Sequence, residues 1–130
     1  MPKLRHIALR THDVEKTVAF YKEVFGLKQV GLGRIGVYLS DGYINLAVLK
    51  YQPSQTDAPV KLGIDHFGFI VEDIQEAITK LKQSGAKPLT DLERIKPTDP
   101  ANPQSYYEIR FEGPDGQVFD ISGTGWAGND

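Results

Sequence analysis

Three side chains in this sequence are of the types a divalent metal site requires: His6, His66 and Asp120. Neutral imidazoles and an ionised carboxylate suit Fe, Mn, Ni, Co or Zn, and two histidines with one carboxylate leave coordination positions open. Catalysis needs those open positions, because substrate oxygens bind there and are polarised. The chain has no cysteine. That excludes disulfides, thiolate nucleophiles and thiolate ligands, and leaves His, Asp and Glu for metal chemistry.

An internal repeat must position these residues. His6-Ile7-Ala8-Leu9 leads to Asp13-Val14 and a helical stretch ending at Gly26-Leu27-Lys28. His66-Phe67-Gly68-Phe69 leads to Asp73-Ile74 and a helical stretch ending at Gly85-Ala86-Lys87. The offset is 60 residues at the histidines and 59 after the helices. A repeat of this kind decides the architecture before any single residue does, and it sets two imidazoles at equivalent positions of two equivalent units.

Periodicity then supplies the elements. Residues 5–10 alternate, with Ile7 and Leu9 on one side and His6, Ala8 and Arg10 on the other, which predicts a half-buried strand. Asp13 is placed to cap a helix whose Val14, Val18, Tyr21 and Phe25 share a face, and Gly26 to end it. Residues 27–32, 34–39 and 43–49 read as strands, with Asp41-Gly42 as a two-residue hairpin signal. The polar stretch 51–63 reads as a linker. The order then recurs: a strand over 64–71, a helix capped by Asp73 with Glu76 as capping-box partner, then strands over 105–111 and 117–122. Between helix and strands, residues 88–104 hold Pro88, Pro97, Pro100 and Pro103, which predicts a structured or lid-like loop. The tail 123–130 is rich in glycine and carries the single tryptophan, Trp126.

Each half therefore reads β-α-β-β-β. The expected fold is α+β: two such modules in tandem forming a curved sheet cleft, with the helices on the outside. Module one covers 4–50 and module two 64–122, in one domain over 1–130. The polar face of each sheet is where function is sought. Phe119 and Ile121 are apolar, so Asp120 falls on the face of His6 and His66. A five-residue loop at 112–116 pairs Phe111 with Gln117. It puts Tyr107, Ile109 and Phe111 on the helix side and Glu108 and Arg110 beside Asp120, and a four-residue loop reverses this. The first keeps the apolar residues together and is the one expected.

The paired modules, the two opening histidines and the closing Gly-Pro-Asp-Gly-Gln-Val-Phe-Asp-Ile at 113–121 resemble the vicinal oxygen chelate superfamily. That group includes glyoxalase I, extradiol dioxygenases, methylmalonyl-CoA epimerase, and the fosfomycin and bleomycin resistance proteins. The resemblance spans roughly residues 4–122 and implies ligand positions at His6, Asn45, His66 and Asp120. Two departures bear on chemistry. The last ligand is usually Glu in the family's metal enzymes and is Asp120 here. The fourth position, Glu in glyoxalase I, is Asn45. Glyoxalase chemistry needs a carboxylate at the metal to take a proton alpha to a carbonyl, which Asn45 does not provide. The resemblance thus implies a small metal-dependent enzyme, oxygenase-like rather than glyoxalase, that holds its substrate through adjacent oxygens. The alternative is a metal-free small-molecule-binding protein of the bleomycin-resistance kind. A further alternative is an accessory subunit with a degenerate site.

Around the metal ligands, Arg10, Arg34 and Arg110 are candidate substrate contacts. If they converge, the substrate carries a carboxylate or phosphate. Tyr38, Asn45 and Tyr106 are candidate wall residues. Glu108 is the candidate general acid or base, with a pair to Arg110 as the competing role. Asp120 has a salt bridge to Arg10 or Arg110 as its competing role, and His12, which has no repeat counterpart, is expected in solvent. The formal net charge of -2, with 25% charged residues, gives no reason to expect nucleic acid or an anionic membrane as partner. No apolar run approaches the roughly 18 residues of a membrane span, and no signal peptide is visible. A cytoplasmic homodimer acting on a small molecule is expected.

Overall fold

The computed structural model describes residues 1–53, 60–106 and 108–123. Residues 54–59 of the expected linker, Tyr107, and the tail from 124 with Trp126 lie outside the described residues. The elements follow the order β1 (Lys3–Thr11), α1 (Val14–Phe25), β2 (Lys28–Leu32), β3 (Gly36–Ser40), β4 (Asn45–Lys50), β5 (Gly63–Ile70), α2 (Ile74–Gln83), β6 (Lys87–Pro88), β7 (Ile109–Glu112) and β8 (Val118–Ser122). The strands hydrogen-bond in the order β2-β3-β4-β1-β5-β8-β7-β6, a mixed eight-stranded sheet, and the fold is α+β.

Among the described residues the chain divides into two compact units, one within Arg5–His66 and one of Met1–Leu4 with Phe67–Gly123. In the first unit, α1 begins where the Asp13 carboxylate accepts from the Lys16 N–H at 3.1 Å. It ends at Gly26, whose φ of 70° favours a residue without a Cβ. Val18 packs with Leu39 and Val48, joined by Val14, Tyr21, Leu27, Val37 and Leu46. Phe25 departs from the expected buried stripe: it is 66% exposed and stacks on Tyr21. In the second unit, Asp73 caps α2 by accepting from the Glu76 N–H at 3.0 Å. Ile74 and Ile78 pack on Val71, Ile109, Phe111 and Ile121. Burying each large apolar side chain in these two cores contributes about 1.5–3 kcal/mol.

Three local expectations change. The turn after β3 holds four residues, because Ser40 pairs with Asn45. The Asp41 carboxylate accepts from the N–H groups of Tyr43 (2.8 Å) and Ile44 (2.9 Å), which stabilises a wider turn than Asp-Gly alone signals. The proline-rich stretch begins as a strand, with Pro88 opposite Phe111 on β6, and only then becomes a loop. In the final hairpin Phe111 pairs with Phe119 rather than Gln117, so the residues between the last paired positions are 113–117. The slip is by two positions, so the paired side chains of Ile109–Glu112 keep their expected faces. Among the described residues no helix is long and apolar enough to cross a membrane.

The Asp41 turn makes a pH-dependent prediction. The Ile44 and Tyr43 amides, in that order, hold the carboxyl below its ordinary value of 3.8. A lowered folded value means the stabilisation is present above the ordinary carboxylate range and is lost as pH falls through the lowered value. Asp41→Asn is expected to flatten the acid limb of unfolding free energy against pH. Urea unfolding from about pH 5 to about pH 2 reads this, and an unchanged acid limb would contradict it.

Candidate metal centre

In the first unit, β1 and β4 run parallel with His6 opposite Asn45 and Ala8 opposite Ala47. Opposed residues in a ladder share a face. Antiparallel β3 extends each row, with Ser40 opposite Asn45 and Tyr38 opposite Ala47. Two neighbouring rows result, one of His6, Asn45 and Ser40, the other of Ala8, Ala47 and Tyr38. His6, Asn45 and Ser40 are all buried. His66, at the end of the same unit, meets His6 edge to face, with ring centroids 5.4 Å apart and planes at 82°.

In the second unit, β5 and β8 run parallel with Gly68 opposite Asp120, and antiparallel β7 sets Arg110 opposite Asp120. His66 precedes Gly68 by two residues on β5, so it shares the face of Gly68 and Asp120. Asp120 is fully buried, while His6 and His66 are 1% and 3% exposed. Each of the three offers one ligand atom, and these atoms lie within 4.8 Å of one another in a single chain. Ligands about 2.0–2.2 Å from a shared ion stand up to about 4.4 Å apart. Two imidazoles and a carboxylate are also the right donors for a first-row divalent ion.

The ladder registers bear on the fourth position, which the resemblance implied at Asn45. Asp120 stands two residues beyond the His66 level, opposite Gly68. The residue that stands two beyond the His6 level, opposite Ala8, is Ala47, whereas Asn45 stands at the level of His6 itself. The counterpart of Asp120 in the first module is therefore an alanine with no donor atom, and Asn45 is a buried neighbour of His6 along the ladder.

A further residue escaped the sequence reading. Asp65 is buried, and its Oδ2 lies 2.7 Å from Nδ1 of His66. Its Oδ1 accepts from the Lys61 N–H at 2.7 Å, and Arg10 Nε stands 3.8 Å from Oδ2. Burial pushes the Asp65 carboxyl up, but the His66 hydrogen bond, the Lys61 amide and the His66 and Arg10 charges outweigh it and hold the group below the usual carboxylate range. Strand alternation sends residues 65 and 66 to opposite faces, and this adjacency hid the contact. Gly63, at φ 77°, turns the chain just ahead of the pair.

The expected substrate contacts fare unequally. Arg10 is 9% exposed and donates from Nη1 to the Lys50 carbonyl at 3.1 Å, with its Nε 3.8 Å from Asp65 Oδ2, so its guanidinium is engaged within the first unit. Arg34 is exposed in the turn between β2 and β3. Arg110, the ladder partner of Asp120, reaches Glu108 at 3.7 Å, with both side chains largely covered. Tyr38 is half-buried and its hydroxyl end packs over Gly33, where a Cβ would come within 2.6 Å of it. Tyr106 packs against the α2 core, and its hydroxyl accepts from Gln75 Nε2 at 3.1 Å. His12 is exposed, with its ring 5.4 Å from that of Tyr51.

The assignment of Arg10 has a direct check. Removing one member of a buried ion pair leaves the other uncompensated, which costs about 3 kcal/mol. Arg10→Leu is expected to lower unfolding free energy by about that amount in urea titrations. A change below about 0.5 kcal/mol, the scale of an ordinary surface substitution, would instead return Arg10 to the substrate.

A family model described as the Glyoxalase/Bleomycin resistance protein/Dioxygenase superfamily matches residues 3–121. The chain is 28% identical over 120 residues to the metallothiol transferase FosB of Shouchella clausii, covering 91% of this chain and 77% of that protein. Among solved structures, a hypothetical protein, BH1468, from Bacillus halodurans C-125 aligns with a TM-score of 0.72 at 18% identity, covering 99% of each chain. The 2,3-dioxygenase LapB of Pseudomonas sp. KL28 aligns at 0.67 and 21% identity, covering 98% of this chain and 42% of that one. These two share the fold, and with the family match over nearly the whole chain the protein belongs to the glyoxalase, bleomycin resistance and dioxygenase superfamily.

Proposed function

We propose that this protein is a small metal-dependent enzyme in which His6, His66 and Asp120 hold a divalent cation. The observation that carries the reading is the approach of their three ligand atoms to within 4.8 Å in a buried setting. A cation bound there would act as a Lewis acid toward adjacent oxygens of a small substrate. The chain's own residues do the rest. Ala47, without a donor, leaves coordination space where a fourth ligand would stand. Arg110, the ladder partner of Asp120, is the cation we assign to an anionic group on the substrate, with Glu108, which it holds at 3.7 Å, as the group for proton transfer. Asn45 and Tyr38 line the first unit's rows.

Neither Asn45 nor Ala47 can serve as the metal-bound base that proton abstraction alpha to a carbonyl requires. Oxygenase-like chemistry is therefore favoured over glyoxalase chemistry. A second reading, transfer of a thiol, is favoured by the 28% identity to a metallothiol transferase over 91% of this chain. The proposal extends to a homodimer in the cytoplasm.

Untagged protein is expected to purify with about one divalent ion per chain. His66→Ala and Asp120→Ala should lose it by more than the 10–100-fold that removing an outer hydrogen-bond partner costs. Oxygen uptake with catechols assigns the oxygenase reading, and thiol consumption with fosfomycin assigns the transferase reading. Folded wild-type protein that takes up no metal and binds a bleomycin-like drug would overturn the proposal in favour of a binding protein.

A further inference from the structure

We propose that Asp65 is a positioning residue for His66: its carboxylate fixes the imidazole as the tautomer protonated on Nδ1, which puts the ring's lone pair on Nε2 for a cation. The link to metal affinity rests on the metal-site reading above, but the hold on the ring does not. An ionised carboxylate only accepts hydrogen bonds, so a 2.7 Å contact between Asp65 Oδ2 and His66 Nδ1 requires the proton on Nδ1. A neutral imidazole then carries its lone pair on the other nitrogen.

The carboxylate is itself held on several sides. Oδ1 accepts from the Lys61 amide at 2.7 Å, Arg10 Nε stands 3.8 Å from Oδ2, and Arg10 is anchored by the Lys50 carbonyl at 3.1 Å. All of these residues belong to one compact unit. Asp65 is 8% exposed and His66 3%, so solvent competes little for the bond. A chain of contacts thus runs from the end of β4, through Arg10 and Asp65, to His66. Its effect is to present one nitrogen of His66 in a fixed orientation. Such carboxylate partners of ligating histidines raise ligand basicity, and their loss costs about 10–100-fold in metal affinity.

Long-range nitrogen–proton NMR of the full-length, metal-free protein tests this at about pH 8.5, above the ordinary imidazole range. His66 is expected to show a protonated Nδ1 and an unprotonated Nε2. In Asp65→Ala the signal should move toward the mixture of tautomers, with His6 unchanged. Zn(II) affinity, read by competition with a chelating dye, should fall about 10–100-fold in Asp65→Ala and less in Asp65→Asn, whose amide oxygen still accepts from Nδ1. A purely structural carboxylate would change stability and leave both readouts alone.

An Nε2-protonated His66 in the wild type would overturn the proposal. So would folded Asp65→Asn and Asp65→Ala proteins with unaltered Zn(II) affinity. If Asp65→Ala does not fold, the wild-type tautomer and the Asp65→Asn affinity decide. Wild-type protein that binds no Zn(II) would defeat the metal-site reading, and the tautomer measurement alone would then judge the hold of Asp65 on the ring.

Discussion

The register of the parallel β5–β8 ladder is the constraint on which the site depends. Gly68 stands opposite Asp120, and His66 lies two residues earlier on the same face of β5. A shift of one residue would send Asp120 into the apolar core beneath α2, where a carboxylate has no compensation. Phe67, Phe69, Phe119 and Ile121, on the opposite face, oppose that shift: Phe67 and Phe119 stack, and Phe69 meets Phe119 edge to face. Packing of the aromatic face thus fixes the position of the polar face. Stability and chemistry are set by the same strand pairing.

The first unit uses the same construction with different residues. Its parallel ladder sets His6 opposite Asn45 and Ala8 opposite Ala47, over a core of Val18, Leu39 and Val48. Two modules of one plan therefore differ in their candidate ligands: one histidine in the first, a histidine and a carboxylate in the second. In the proposed site Ala47 offers no fourth donor. Three protein ligands and open positions are what a metal that must also bind substrate requires.

Much of this was legible in the sequence. The repeat fixed the order of elements and the equivalence of His6 and His66, and alternation around Phe119 and Ile121 put Asp120 on their face. Helix caps at Asp13 and Asp73 were readable because capping is local. Contacts that depend on register or on a turn were not. The final hairpin slipped by two positions, which preserved faces but moved Arg110 opposite Asp120. The ladder level of Asn45 was not readable, because no local signal sets the stagger of two parallel strands joined through a helix and a hairpin. Tyr106 turned toward α2 because it lies ahead of β7, where strand alternation has not begun. Asp65 was invisible for a related reason: alternation points it away from His66. The role of Arg10 followed from that omission, since its partner was not counted.

The central claim is that His6, His66 and Asp120 of one chain share a cation. X-ray absorption spectroscopy of the cobalt- or zinc-loaded protein tests it most directly. Two imidazole shells and a carboxylate oxygen at about 2.0–2.2 Å are expected, with one imidazole lost in His6→Ala and one in His66→Ala. A bound metal without imidazole scattering, or a spectrum that neither histidine substitution alters, would contradict it.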